Sequence, residues 1–389
     1  MIAAFWISLI VVFYTFFGYG ILLYILVKLR ILFKGKRIIE PGKEYNWPTL
    51  TIIVAAYNEE TFILEKISNT LTLNYQADKI SYIFITDGSD DRTPELINMF
   101  PKIKLMHRPE RNGKIAAIHR AMEEVNAEIV IFTDANAILN TDALINICRH
   151  YRDPSVGAVS GEKRVGTEDA GDATEGEGFY WKYESKLKTW DSELYSVVGA
   201  AGELFSIRAS LYEPVPADTI LDDFMISMLI AKKGYRIVYE PLAYATENGS
   251  ENVKEELKRK IRIAAGGIQS IARLGSVLNP FHNFVLSFQY ISHRVLRWTI
   301  TPFLMILAIV LNALIVFHTQ DSIYTILLVC QCVFYFLSFI GWAFEKKQLH
   351  VKIVFIPYYF CMMNYAVLAG LKRYLQGNQS AVWEKSKRK

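Results

Sequence analysis

The amino-acid sequence predicts an α/β fold, with a mainly parallel sheet flanked by helices and apolar segments at both ends of the chain. Three observations predict it. Residues 49–136 alternate short β-branched or aromatic runs with runs of helical period, the pattern of βαβ units. The polar residues of that stretch collect where the strand-like runs end, the edge at which open parallel sheets hold ligands. Hydrophobic residues make up 52% of the 389 positions, more than a soluble domain usually carries, and many lie in charge-free blocks outside the alternating region.

Taken in order, Ile2 to Val27 contains no charged residue and is long enough to cross a hydrocarbon layer of about 30 Å. No basic residue precedes it and no small-residue cleavage site follows, so residues 1–30 read as an uncleaved transmembrane anchor. Lys28, Arg30, Lys34, Lys36 and Arg37 then place its C-terminal end in the cytoplasm. Residues 31–47 form a linker. Inside a domain spanning 48–275, "TLTIIVAAYN" is a strand with its turn and "FILEKISNTLTL" a helix. "ISYIFITDGSDD" is a second strand and turn, "PELINMF" a short helix and "KIKLMHR" a third strand. "GKIAAIHRAMEEV" is a helix and "EIVIFTDAN" a fourth strand.

Beyond the domain, 276–297 reads as an interface segment and 298–344 as two transmembrane helices. Residues 353–371 contain Pro357, Asn364 and several tyrosines. They read as an interface or re-entrant helix within 345–389, ahead of a basic cytoplasmic tail, because an even number of crossings keeps domain and tail on one side. The basic clusters adjoin apolar runs, which suits anionic membrane lipids and argues against nucleic acid. The four cysteines have neither metal-ligand nor disulfide spacing, as expected of a reduced cytoplasmic domain at the inner membrane.

The strand ends carry the chemistry. Glu59 and Asp87 can accept hydrogen bonds from the hydroxyls and ring N–H of a nucleoside. Lys114, after Gly113 at a helix start, can meet phosphate charge. An extended segment puts Asp134 and Asn136 on one side, where two oxygen-bearing side chains either form a turn or hold a divalent cation. Asp134 offers an oxygen ligand to Mg2+ or Mn2+, and Asn136 a neutral ligand or a partner of one. Each cluster alone is ordinary turn chemistry; four in order, with helices between them, point to a site.

The ordered set "AAYNEE", "DGSDD", "RNGK", "TDAN", "GAVSG", "GAAGELFSIR", "LDD" and "RKIRIAAG" resembles the inverting family 2 glycosyltransferases. Within them it is similar to the membrane-bound cellulose, chitin and hyaluronan synthase group. The resemblance covers about 48–275 and implies a GT-A fold, a nucleoside diphosphate sugar donor (usually a UDP-sugar) and a divalent metal. It implies that Tyr57 and Glu59 flank the nucleoside, Asp87 binds uracil or ribose, Lys114 approaches the nucleotide and Asp134 holds the metal and diphosphate. It makes Asp223 the general base, with Asp222 beside it and Gly199 and Gly202 in the acceptor pocket.

Asp-Ala-Asn stands where many relatives have Asp-x-Asp, which weakens Asn136 as second metal ligand. In the Gln-x-x-Arg-Trp motif of processive members, Arg259 replaces Gln, Arg262 keeps the diphosphate-binding Arg, and Ile263 replaces the stacking Trp. Tyr180, Trp181 and Tyr183 are either another stacking platform or core and membrane anchors. The tail "WEKSKR" resembles a segment that covers the nucleotide, which implies roles for Trp383 and Arg388. The expected function is sugar transfer from a UDP-sugar to a glycan or lipid-linked acceptor in surface or extracellular polysaccharide synthesis, by a homo-oligomer or a synthase complex. The competing reading is a non-catalytic nucleotide-sugar-binding subunit of such a complex. It predicts loss of Asp134 or Asp223, and both are present.

Overall fold

The computed structural model describes residues 1–37, 46–165, 173–247, 253–347 and 351–377. Strands β1 (Leu50–Ala56), β2 (Ile80–Asp87), β3 (Ile103–Arg108), β4 (Ile129–Asp134), β5 (Ile138–Leu139), β6 (Val156–Val165), β7 (Leu204–Arg208) and β8 (Arg236–Glu247) form one sheet. Their order is β3-β2-β1-β4-β7-β6-β8-β5. All seven residues of β1 are buried, which accounts for its unbroken apolar run: both faces of a central parallel strand are covered. Ile53 and Ala55 enter one core with the helices Lys114–Met122 and Asp222–Lys232. Leu50, Ile52 and Val54 enter the other with Ile63–Leu71 and Ala143–Cys148, following the two-residue period of a strand.

The parallel half of the sheet runs β3-β2-β1-β4. Its in-register pairs, Ala56 with Thr86 and Ala55 with Asp134, bring three C-terminal strand ends to one edge. The other half is mixed, since β7 pairs antiparallel with both β4 and β6 while β6 and β8 are parallel. This reversal matters for the site. Leu204, the first residue of β7, pairs with Thr133 near the end of β4, so the loop 199–203 is delivered to the edge that carries Asp134.

Among the described residues, four helices are long and apolar enough to cross a membrane: Ile2–Lys34, Thr301–Thr319, Ser322–Lys346 and Ile353–Leu375. The first continues four residues beyond residue 30, and at about 50 Å exceeds the hydrocarbon thickness. Its N-terminal part packs on Thr301–Thr319 through Phe5, Ala308 and Ile315. Its C-terminal part packs on the domain helix Ala173–Leu194 through Tyr19, Leu23 and Leu187. The run expected at the interface forms a continuous helix, Lys352–Leu375, through Pro357. It lies lengthwise along Val253–Arg273, with Phe355, Tyr359 and Met362 against Val253 and Leu257, and Gly370 against Ala264.

A buried polar clasp ties the first helix to the domain. Tyr19 donates its hydroxyl proton to Asp191, and His293 sits between Asp191 (2.6 Å) and Glu184 (3.1 Å). Arg294 and Arg297 pair with Glu184 at 2.9 and 3.0 Å. Burial alone would raise the Glu184 carboxyl, yet Arg294, His293 and Arg297 hold it well below its usual range.

Candidate active site

The first two strand-end loops form one laced unit. After β1 the chain turns through Asn58, whose φ of 52° is a left-handed conformation that asparagine tolerates. The Asn58 amide donates to Asp90 at 2.6 Å, and the Asp90 N–H donates back to Asn58 Oδ1 at 3.0 Å. Asp91 accepts from the N–H groups of Glu60 and Thr93 at 3.1 and 2.9 Å. These acids therefore hold loops. Asp87, at the end of β2, accepts from the N–H groups of Asn112 and Gly113 at 2.8 and 2.6 Å, all through Oδ2. A Cβ on Gly88 would come within 2.6 Å of Arg111, so this glycine lets Arg111 approach and lie 3.9 Å over the Tyr57 ring.

The resulting hollow is lined by Ala55, Ala56, Tyr57, Asp87, Arg111 and Lys114 among others. An adjoining one, sharing Ala55 and Lys114, is lined by Thr133, Asp134 and Gly202. Lys114 joins them. Gly113 precedes it at φ 94°, and the helix Lys114–Met122 begins with the lysine itself. Its Nζ lies 2.9 Å from Asp134 and 3.2 Å from Asp222. Burial would lower this ammonium's pKa, but Asp134, Asp222 and Asp223 together hold it above its ordinary value. Asp134 is raised by burial and by Glu247 and Glu203, against the pull of Lys114.

Asp223 sits in the first turn of Asp222–Lys232. Burial first, and then the Asp222 charge, push its carboxyl up to about 7, opposed by Lys114. A Cβ on Gly202 would lie 3.2 Å from Asp223 Oδ2, so the glycine loop backs directly onto this carboxylate. Gly199 has φ 83°, and a Cβ there would overlap the Phe224 ring.

Tyr57, Asp87, Lys114, Asp134, Asp222, Asp223, Gly199 and Gly202 are thus joined by these contacts and shared linings. Other expected residues stand apart. Glu59 is buried, its N–H donating to Thr93 at 2.9 Å, and it lines neither hollow. Arg262 is partly buried on Val253–Arg273, also outside both linings. Trp383 and Arg388 lie outside the described residues. The alternation that put Asn136 beside Asp134 does not apply. β4 ends at Asp134, and the next residues turn, closed by the Ala137 N–H donating to the Asp134 carbonyl at 3.2 Å.

Three residues escaped the sequence reading. Arg111 could have been noticed as the cation before "NGK". Glu203 and Lys163 carry no local signal, because their pairing joins the glycine loop to β6. Lys163 also pairs with Glu247 at 2.7 Å. Burial would raise Glu203, but Lys163 holds it below the usual carboxylate range, and its negative charge in turn raises Asp134 and Asp223.

Carboxylates from β4, the glycine loop and the helix at Asp222 make a region that stabilises positive charge, and Lys114 is already drawn between two of them. That donor chemistry suits a hard divalent cation. Among the described residues no three His, Cys, Asp or Glu side chains form a ready cage. A cation held by Asp134 would therefore complete its shell from phosphate and water, as Mg2+ habitually does.

Residues 51–215 match the family model described as glycosyl transferase family 2. The poly-beta-1,6-N-acetyl-D-glucosamine synthase of Staphylococcus aureus (strain COL) is 29% identical over 234 residues, covering 58% of this chain and 56% of that protein. The protein of the same name from Staphylococcus epidermidis is 24% identical over 339 residues, covering 82% of each. The chain thus spans a little over half the length of the Staphylococcus aureus relatives. Among solved structures, the mannosyltransferase PcManGT from Pyrobaculum calidifontis in complex with GDP-Man and Mn2+ superposes with a TM-score of 0.72 at 24% identity. The match covers 96% of this chain and 99% of that one, and it shows the fold: the expected GT-A architecture with apolar helices at both ends is present.

Proposed function

Starting from the premise that residues 51–215 are a family 2 glycosyl transferase domain, we propose that this chain is a membrane-bound, inverting, metal-assisted transferase. It moves a sugar from a UDP-sugar to a glycan or lipid-linked acceptor in surface polysaccharide synthesis. The observation that carries this reading is the Lys114 ammonium, which draws Asp134 from a strand end and Asp222 from the base helix to one point. The names of the staphylococcal relatives make UDP-N-acetylglucosamine the first donor to try.

In this reading Tyr57 and Asp87 hold the nucleoside, and Asp87 Oδ1, which makes no hydrogen bond among the described residues, accepts from it. Lys114 meets the diphosphate, and Asp134, with Asn136 beside it in the chain, would hold the cation. When bound, a divalent ion neutralises charge on the departing nucleotide. Asp223 takes the proton of the acceptor hydroxyl while that oxygen bonds to the anomeric carbon. The bond from that carbon to the diphosphate oxygen breaks, and the electron pair leaves with the nucleoside diphosphate. Attack from the face opposite the leaving group inverts the centre. Burial first, then the charges of Asp222 and Glu203, keep Asp223 basic enough for this at neutral pH.

The helix Lys352–Leu375 runs alongside the charged helix Val253–Arg273, which supports placing both at the membrane surface, and the basic residues Lys28, Arg30, Lys34, Lys36 and Arg37 support placing the domain on the cytoplasmic side. Release of UDP should be measured with Mn2+ and a panel of UDP-N-acetylglucosamine, UDP-glucose and UDP-galactose, using membrane lipid and oligosaccharide acceptors. Turnover is expected with one donor. Failure with all of them, despite a folded protein, would refute the transferase reading. The rate should also rise with pH through about 7, because only the ionised Asp223 accepts a proton. A profile flat from pH 5.5 to 8.5 would remove Asp223 as base.

A further inference from the structure

We propose that Lys66 is a positioning residue of this site, its buried amine tying the Asp134 turn to the loop behind Asp223. The inference rests on the transferase reading above. Lys66 lies on the helix Ile63–Leu71 with its side chain fully buried, beside Ile63 and Ile67, where an aliphatic residue would be the expected occupant. Taking an ammonium out of water costs several kcal/mol unless its donors are satisfied. Among the described residues it makes no ion pair; its Nζ donates instead to Thr133 Oγ1 at 2.9 Å and to the Ala137 carbonyl at 2.5 Å. Those two acceptors bracket the segment Asp134–Asn136. The lysine therefore holds that turn from both sides, from beneath.

The tie continues. Thr133 has one hydroxyl proton and donates it to the Glu203 carbonyl at 2.9 Å, so its oxygen is left to accept from Lys66. The direction of the relay is thereby fixed: Lys66 to Thr133 to Glu203. Glu203 follows Gly202, whose missing Cβ faces the Asp223 carboxylate. The β4–β7 ladder ends at the pair Thr133–Leu204, so beyond that rung the relay is what spans the two segments. One side presents the group that would hold cation and diphosphate, and the other presents the proton acceptor. Their spacing sets the line along which acceptor oxygen, anomeric carbon and leaving oxygen must lie. A displacement of the order of 1 Å at such a place costs about 100-fold in rate.

The test uses the full chain in detergent or nanodiscs with Lys66→Met, Thr133→Val, Thr133→Ser and the Lys66→Met/Thr133→Val pair. Three quantities are read: kcat and donor KM, Mn2+ binding in the presence of UDP from the loss of the free Mn2+ resonance, and the thermal midpoint. Lys66→Met and Thr133→Val should each lower kcat about 10- to 100-fold and weaken Mn2+·UDP binding about tenfold. Thr133→Ser, which keeps the hydroxyl, should stay within about threefold of the native protein, and the pair should be no worse than its worse member, because both interrupt one relay. Folded Lys66→Met and Thr133→Val proteins with native kcat and native Mn2+·UDP binding would overturn the proposal, whatever their midpoints. If Lys66→Met does not fold, Thr133→Val, which adds no buried charge, decides alone. A native protein that neither binds Mn2+·UDP nor turns over any donor overturns the transferase reading itself; a native protein that does both, with unaltered variants, overturns only the relay.

Discussion

Asp223→Asn should abolish sugar transfer while leaving donor binding intact. The substitution keeps shape and hydrogen-bonding capacity but removes the proton acceptor, and general-base catalysis is typically worth about 100- to 10,000-fold. A fall in kcat of about 1,000-fold with donor KM within about twofold is expected, together with loss of the limb near pH 7. Stability should move the other way. A carboxyl whose folded-state pKa is raised favours the folded state fully below its unfolded value, about 3.9, and loses that contribution as pH rises through about 7. At pH 8 the native protein holds Asp222 and Asp223 side by side in a buried place, which Lys114 and the Phe224 N–H offset only in part, so Asp223→Asn should melt at a higher temperature than the native chain. At pH 4 the two should be close. Native turnover by the variant, or an identical pH 8 melt, would count against the assignment of Asp223 as base.

Asp134→Asn should have the next largest effect, on a different quantity. Asp134 is the carboxylate at the end of β4, lining the second hollow with Lys114 and Gly202. Replacing it removes the charge that would face a divalent ion, while the Lys114 pair with Asp222 remains. Metal-assisted charge neutralisation is worth several kcal/mol, and each 1.4 kcal/mol is about tenfold, so a loss of at least about 100-fold in kcat/KM is expected. The distinguishing readout is affinity: Mn2+ and UDP should no longer strengthen each other's binding. Preserved mutual enhancement, measured by titrating one in the presence of the other, would show that Asp134 is not the metal ligand. The two substitutions therefore separate, one acting on the chemical step and the other on the loaded donor.

What was legible in the sequence follows from how locally each feature is encoded. β1 to β4 and their helices came from period alone, because each run carries its own alternation and its own turn residues. The antiparallel insertion of β7 did not, since register is settled by pairing with β4, more than seventy residues away in the chain. The consequence reaches the site. Glu203 was an unremarked acid in "GAAGELF", and only that pairing brings it near Asp134 and Asp223. Asp222 and Asp223 taken alone read better as a helix N-terminus, which is also where they sit; the resemblance of the ordered motifs reverses that preference. Asn136 shows the limit of a periodic argument, for it assumed an extended chain through 136, and the strand stops at 134.

The polar knot among Tyr19, Glu184, Asp191, His293 and Arg297 bears on how the protein can be handled. Excising the first 37 residues to obtain a water-soluble enzyme would withdraw the phenol from Asp191 and uncover the apolar strip around Leu187. Asp191 would keep His293 and Gln289, but a hydrogen bond to a charged group is typically worth about 1.5–3 kcal/mol, a sizeable share of what holds an ordinary domain together. Shortened versions should consequently aggregate, and the apolar beginning of the chain is better regarded as part of the folded unit than as an appendage to it.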